Sequence, residues 1–289
     1  MRSEDWEILK VLYENKNITK TGKELFISQP ALTNRIKQIE KEFGAKIINR
    51  DRRGVRFTPQ GEYLAKSAEE MIVKLRQIKE KLRNMESDVA GTIHLGVSSF
   101  FTKYKLPQLL REFRKQYPNV EFKVTTGWSR DLFHSLYKKD IHIAFVRGDY
   151  TWLEQKQLLF EDYLCVASKE EIELKNLPNL PRINYRMDNF LKSIVDHWWM
   201  ENFTKPPIVT MEVDQVDTCK EMVVNGLGYA IIPGMILKGN EDIRKIYIKD
   251  KKNKPLIRNT WMLYHDESIE VNIINAFVSF ISSIDLQEL

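Results

Sequence analysis

The residues whose types and spacing point to a chemistry lie between Ser28 and Arg56. Leu32, Ile36, Ile39 and Phe43 recur at helical spacing and share one face. The opposite face carries Pro30, Thr33, Asn34, Lys37, Gln38 and Lys41, with Ser28 and Gln29 at the helix start. A serine followed by an early proline is a helix-start signal. Asn and Gln side chains can bond adenine at two points. Gln29, Thr33 and Asn34 are therefore candidate base readers, and Lys37 and Lys41 candidate phosphate contacts. Arg35 points sideways on the same helix and fits either role. Downstream, Ile47 to Arg50 and Val55 to Thr58 flank Asp51-Arg52-Arg53-Gly54 and read as a hairpin lined by Arg50, Arg52, Arg53 and Arg56. A basic wing of this kind suits phosphates and a narrow minor groove.

For such side chains to reach base edges, their helix has to be the second of a helix-turn-helix. The preceding sequence allows it. Trp6, Leu9, Val11 and Leu12 predict a first helix near residues 3–14, and a short second helix, capped by Thr19 or its neighbour, ends near Leu25-Phe26. After the hairpin, Leu64, Ala68, Met71, Leu75, Ile78, Leu82 and Met85 alternate at intervals of 4 and 3. A strict repeat of ~3.5 residues favours supercoiling around a partner helix. Residues 59–88 are therefore expected to form a linker helix that pairs two chains.

Charge supports this division. Residues 1–90 hold 19 basic and 14 acidic side chains, whereas residues 91–289 hold 26 of each. A basic excess confined to a small N-terminal domain points to an anionic polymer. The chain is 43% hydrophobic and 29% charged, as expected of a globular protein, with no apolar run near the ~20 residues a bilayer requires. Its N-terminus lacks the apolar core of a signal peptide. Cys165 and Cys219, far apart in apolar runs, read as two buried thiols in a reducing cytoplasm, with a redox pair as the alternative.

No catalytic constellation stands out. The five histidines are scattered, none at metal-ligand spacing with Cys or Glu, so no metal or cofactor is expected. There is no nucleophile elbow, Walker loop or dinucleotide fingerprint. The two Trp198-Trp199 indoles and Trp128 read as packing. The alternative to a DNA-binding protein is a small-molecule binding protein or enzyme whose N-terminal domain only dimerises.

The run from Ser28 to Glu40, with Phe43-Gly44, Arg50, Arg53-Gly54 and Phe57-Thr58-Pro59-Gln60-Gly61, resembles the LysR-type transcriptional regulators. Two departures, Thr21-Gly22 in place of two alanines and Ile47-Ile48 in place of Leu-Phe, bear on packing and not on DNA-facing positions. The resemblance implies a multidomain α+β protein: a winged helix-turn-helix (1–58), a dimerising linker helix (59–88) and a two-lobed effector-binding domain (91–289). That last domain would have the fold of periplasmic type 2 binding proteins. It further implies a homodimer, assembling to a homotetramer, on double-stranded DNA at an inverted-repeat promoter site, controlled by a small anionic effector.

From residue 91 onward, strands alternate with helices, as in βαβ units with a parallel sheet. One helix is expected over Phe101 to Tyr117, with chain crossings between lobes at Asp162-Tyr163 and Tyr264-Asp266. Lobe I would then be about 91–162 and 267–289, and lobe II about 163–266. Ligands bind at the C-terminal ends of strands in such sheets. Ser98, Ser99, Gly127 and Arg147 fall there, and Ser98-Ser99 opens a helix whose free N–H groups favour an anion. Arg258, expected in lobe II, would face Arg147 and close with it on a carboxylate ligand. Val213 to Met222, Arg147-Gly148 and Pro255 to Thr260 resemble the citrate-responsive catabolite-control branch of the family in Gram-positive bacteria. That resemblance implies Ser98, Arg147 and Arg258 as site residues and citrate as the effector, with another carboxylate or an amino acid as alternatives.

Overall fold

The computed structural model describes residues 1–51, 54–83 and 89–286. Arg52, Arg53, Met85 and the side chain of Arg50, all named above, lie outside the described residues. Two compact units divide the chain, Met1–Asp88 and Val89–Leu289.

In the first unit, α1 (Ser3–Asn15), α2 (Ile18–Glu24) and α3 (Gln29–Phe43) precede a hairpin of β1 (Ile48–Asp51) and β2 (Gly54–Phe57), and α4 (Pro59–Arg83) follows. Each start has a local cause. Asn17, not Thr19, caps α2 by accepting from the Lys20 amide at 2.9 Å. The Ser28 hydroxyl accepts from the Ala31 amide at the start of α3. Thr58 accepts from the Gly61 amide and donates to the Lys46 carbonyl, which joins the start of α4 to the hairpin. Two glycines permit close approaches. A Cβ on Gly61 would stand 2.1 Å from the Ile47 carbonyl oxygen, and one on Gly22 would stand 2.6 Å from that of Ile27. Gly22 thus offsets its ~1 kcal/mol helix penalty by letting the turn before α3 fold back on α2.

Apolar faces of α1, α2, α3 and the hairpin meet in one core that includes Leu9, Leu12, Leu32, Ile36 and Ile47. Leu64 and Ala68 of α4 belong to this core, so the first two positions of the heptad row are spent inside the unit. Met71, Ile78 and Leu82 are exposed and Leu75 is half-buried, and these form the unpartnered remainder. Arg35 is resolved as well. Its guanidinium pairs through two nitrogens with the buried carboxylate of Asp5 and also donates to Gln38, tying α3 to α1.

The second unit holds two lobes. In lobe I the strand order is β4 (Val120–Gly127), β3 (Gly91–Ser98), β5 (Ile143–Arg147), β11 (Ile257–Tyr264) and β6 (Gln155–Ser168). β3, β4 and β5 are mutually parallel, whereas β11 runs antiparallel to β5 and β6. Helix α7 (Ser129–Tyr137) covers one face. On the other lie α5 (Ser99–Tyr104), α6 (Leu106–Gln116) and α10 (Asn272–Ser282). The single helix expected over 101–117 is broken at Lys105, because Pro107 inside a continuous helix would clash with the Lys103 carbonyl. In lobe II, β6 continues between β9 (Ala230–Pro233) and β10 (Arg244–Tyr247). The parallel pair β7 (Pro181–Tyr185) and β8 (Ile208–Val213) joins through the Arg182–Tyr229 bridge. α8 (Asn189–Asn202) and α9 (Val216–Val224) pack on its opposite faces.

β6 crosses between lobes about Asp162-Tyr163, where one crossing was expected. The return differs. Thr260 to Tyr264 already pair with β5, so the chain re-enters lobe I at the start of β11 and not at Tyr264-Asp266. Arg258 accordingly lies on the crossing strand, opposite Asp162 in register, and not within lobe II.

Burial pushes the Asp5 carboxyl up, but hydrogen bonds from Arg35 and the Arg2 amide, with the charge of Arg35, hold it below its ordinary value. A depressed carboxyl stabilises the fold above its unfolded pKa of ~3.9 and stops doing so as pH falls through its folded value. Arg35→Ala should destabilise the full chain by roughly 2 kcal/mol in denaturant titrations, less than for a wholly buried pair, since Arg35 keeps 24% exposure. The loss should shrink at pH values below the ordinary carboxylate range.

Candidate DNA-contact face and effector cleft

On α3, Gln29, Pro30, Asn34 and Lys37 are exposed, and Thr33 is half-buried. None of the polar side chains of Gln29, Thr33, Asn34 or Lys37 has a hydrogen-bond or ion-pair partner among the described residues. The face is thus fixed from behind by Leu32, Ile36 and Ile39 and unspent in front. Ser28 is exposed at the same end, with its hydroxyl committed to the helix cap. Arg50 stands in β1, in register with Val55 of β2.

In the second unit, one cleft between the lobes gathers all five residues expected from the sequence: Ser98, Ser99, Gly127, Arg147 and Arg258. Its volume is about 160 Å³, the scale of a small metabolite. Ser98 ends β3, is buried, and its hydroxyl has no partner. Gly127 ends β4, where a Cβ would meet only ordinary contact, so the lining does not demand glycine. Arg147 ends β5, and its amide donates to the Ser129 hydroxyl at 2.9 Å.

The two guanidiniums are not the free pair the sequence suggested. Arg147 donates to Asp162 at 2.7 Å and lies 4.0 Å from the ring centre of Phe100. Arg258 is ion-paired with Asp188, whose other oxygen caps α8 by accepting from the Leu191 amide at 2.9 Å. Each arginine nevertheless keeps a buried Nε–H with no partner. Burial, then the charge of Arg258, lowers Arg147 to about 10, so it stays cationic at neutral pH. Burial raises the partner Asp162 despite Arg147 beside it. The Tyr185 hydroxyl, also without a partner, is pushed up by burial and stays protonated as a donor. Residues from both lobes that line one small cavity thus carry buried donors with no partner, an arrangement suited to binding a carboxylate and lacking any assembled nucleophile and base.

The first unit matches the bacterial regulatory helix-turn-helix protein, lysR family, over residues 3–62, and the second the LysR substrate binding domain over residues 86–283. The chain belongs to the LysR family of bacterial transcriptional regulators. It is 40% identical to the uncharacterized HTH-type transcriptional regulator YraN of Bacillus subtilis, over 97% of each chain. It is 33% identical to the uncharacterized regulator YkuM of the same organism, over 100% of this chain and 99% of that one. Full-length CbnR complexed with its target DNA has the same fold, with a TM-score of 0.67 at 16% identity over 98% of this chain and 99% of that one. This LysR-type chain is therefore a DNA-binding transcriptional regulator with an effector-binding domain, and not an enzyme.

The LysR-type cleft also contains residues that sequence reasoning did not assign to a site: Ser129, Tyr185, Arg186, Asp188, Asp214 and Gln215, with Phe100 and Trp128 at strand ends already noted. Trp128, expected in packing, is exposed at the cleft, with Arg186 over its ring at 5.6 Å. Asp188 left one readable signal, an Asp immediately before an apolar helix. Tyr185 left none, because β7 was not recognised as a strand.

Among the described residues no group of His, Cys, Asp and Glu could hold a metal ion, and no helix is long and apolar enough to cross a membrane. Cys165 and Cys219 are free and buried, and burial pushes both thiols up to about 12. The thiolate is the reactive form. A disulfide reagent such as 5,5′-dithiobis(2-nitrobenzoate) should therefore titrate neither cysteine in the native protein at pH 8, and both after denaturation.

Proposed function

We propose that this regulator binds an inverted-repeat promoter site as a homodimer in the cytoplasm, and that a small carboxylate in the interlobe cleft controls its output. The row of exposed Met71, Ile78 and Leu82 with half-buried Leu75 on α4 supports pairing through the linker helices. Two recognition helices then sit on successive major-groove half-sites, read by Gln29, Thr33 and Asn34 and held on phosphates by Lys37 and the wing arginines Arg50, Arg52 and Arg53. Two dimers join as a tetramer. Effector binding changes lobe closure, and through it the spacing of the DNA-binding units, by its differential affinity for the two states.

The observation that carries the effector reading is the set of buried donors without partners on residues that line one cavity: Ser98 Oγ, Arg147 Nε, Arg258 Nε and the Tyr185 hydroxyl. Resemblance to the citrate-responsive branch makes citrate one ligand to test. The lining weighs against so high a charge, since Asp162 and Asp188 already balance the two arginines. The carboxylate reading is therefore wider than citrate.

Two experiments test this reading. On a DNA fragment selected from random sequence by the full-length chain, Gln29→Ala with Asn34→Ala should cost at least about tenfold in specific affinity, by loss of paired base contacts. Lys37→Ala should weaken all sequences alike and lower the salt slope by about 1. Unchanged specificity in the first variant would refute the base-reading face. For the cleft, a ligand at ~100 times its dissociation constant should add ~2.7 kcal/mol to folded stability. Ser98→Ala removes a buried hydroxyl with no protein partner, so it should leave the melting temperature of the free protein unchanged or slightly raised. It should weaken the effective carboxylate about tenfold, and undiminished binding would move the effector away from this cleft.

A further inference from the structure

We infer that the effector is a small zwitterion of the amino-acid class, bound through its carboxylate by the arginines and Ser98 and through its ammonium by Asp214. This rests on the cleft being the effector site and goes further by fixing the ligand's charge.

The first support is charge balance. The lining brings three guanidiniums, Arg147, Arg186 and Arg258, and two carboxylates, Asp188 and Asp214, while Asp162 stands directly against Arg147. Positive and negative groups are therefore matched before any ligand enters. An ion moved into a low-dielectric cleft is tolerated only when a partner compensates it. A trianion entering a balanced cleft brings three charges with no counter-charge, unless it displaces Asp188 from Arg258 or Asp162 from Arg147. Displacement leaves a carboxylate without its cation, and breaking such pairs is costly. A zwitterion enters with no net charge and can satisfy groups of both signs.

The second support is which groups remain unspent. On the donor side, each arginine gives its aspartate a terminal nitrogen and keeps a buried Nε–H with no partner, so donor capacity remains on both beyond the two ion pairs. The buried Ser98 hydroxyl stands with them. On the acceptor side, Asp188 is doubly committed, to Arg258 and to the α8 cap. Asp214 is different. It is exposed, lines the cleft, and has no hydrogen-bond or ion-pair partner among the described residues. Neighbouring Gln215, the residue before α9, makes no side-chain cap bond either. A free carboxylate in a cleft otherwise furnished with donors has no use for a simple anion, which it would repel, but is the natural acceptor for an ammonium. The small volume and the aromatic walls Phe100, Trp128 and Tyr185 favour a compact, partly apolar side chain.

The test is thermal unfolding of the full-length protein with each of the twenty standard L-amino acids at millimolar concentration, beside citrate and succinate. At least one small amino acid should raise the melting temperature. Its N-acetyl derivative, which lacks the ammonium, and its methyl ester, which lacks the carboxylate, should each bind at least about tenfold more weakly. Asp214→Asn should weaken the free amino acid by a similar factor and should not weaken its N-acetyl derivative; because Asp214 is exposed and has no partner among the described residues, the variant should fold. A shift produced by citrate or succinate but by no amino acid would overturn the zwitterion inference and leave the carboxylate cleft standing. An amino acid whose effect survives both N-acetylation and Asp214→Asn would overturn it as well. No shift with any of these ligands would overturn the inference as well.

Discussion

The Asp162 carboxylate is the constraint on which the effector domain depends. It is almost wholly buried on the strand where the chain first crosses between lobes. One oxygen accepts from Arg147, at the end of a lobe I strand, and the other accepts from the Met235 amide of lobe II at 3.1 Å. In register across the sheet it faces Arg258 on the returning strand. One side chain thus ties both lobes and both crossing strands to a single point. Burial penalises both charges, visible in the raised Asp162 and lowered Arg147, so the pair persists only because each compensates the other. A buried pair of this kind is a weak source of stability but a strong determinant of geometry. It leaves the arginine in one orientation, with its Nε edge unspent.

The lobes meet again away from that point. Tyr104 and Lys103, at the end of α5, both bond Asp217 in the first turn of α9. The two helices begin on opposite walls of the cleft, at Ser98-Ser99 and at Asp214-Gln215-Val216. Lobe I and lobe II also share one continuous apolar cluster, which runs from Phe101 and Phe145 to Cys219 and Ile232. The apolar packing that joins the lobes thus lies behind the cleft, apart from its polar lining.

Sequence periodicity made the N-terminal unit legible almost to the residue. Leu32, Ile36 and Ile39 fall on one face, so Gln29, Thr33 and Asn34 have to fall on the other. Ser98, Ser99, Gly127 and Arg147 of the cleft lining were legible for a similar reason, since strand ends can be located from apolar runs. What escaped was pairing between distant residues. Nothing local to Arg147 announces Asp162, and nothing local to Arg258 announces Asp188, some 70 positions away. β7 and β10 escaped because they are short and lack clear alternation. β11 was placed in the wrong lobe because its partners β5 and β6 are fixed by tertiary contact and not by local pattern.

The linker helix shows the same limit from another side. Its heptad spacing is unbroken, yet the row serves two environments. Leu64 and Ala68 complete the core of their own unit against α1, whereas Ile78 and Leu82 are left in water. A period of ~3.5 residues specifies a stripe and is silent on what covers it. The change occurs where α4 runs past the end of the helical core, so one helix meets its own domain along its first turns and leaves an uncovered apolar strip beyond. An exposed strip that continues a buried one is stabilised little by propensity alone, since isolated helical segments of this length are marginal in water. In the proposed homodimer a second α4, with the same spacing, is the cover this strip lacks.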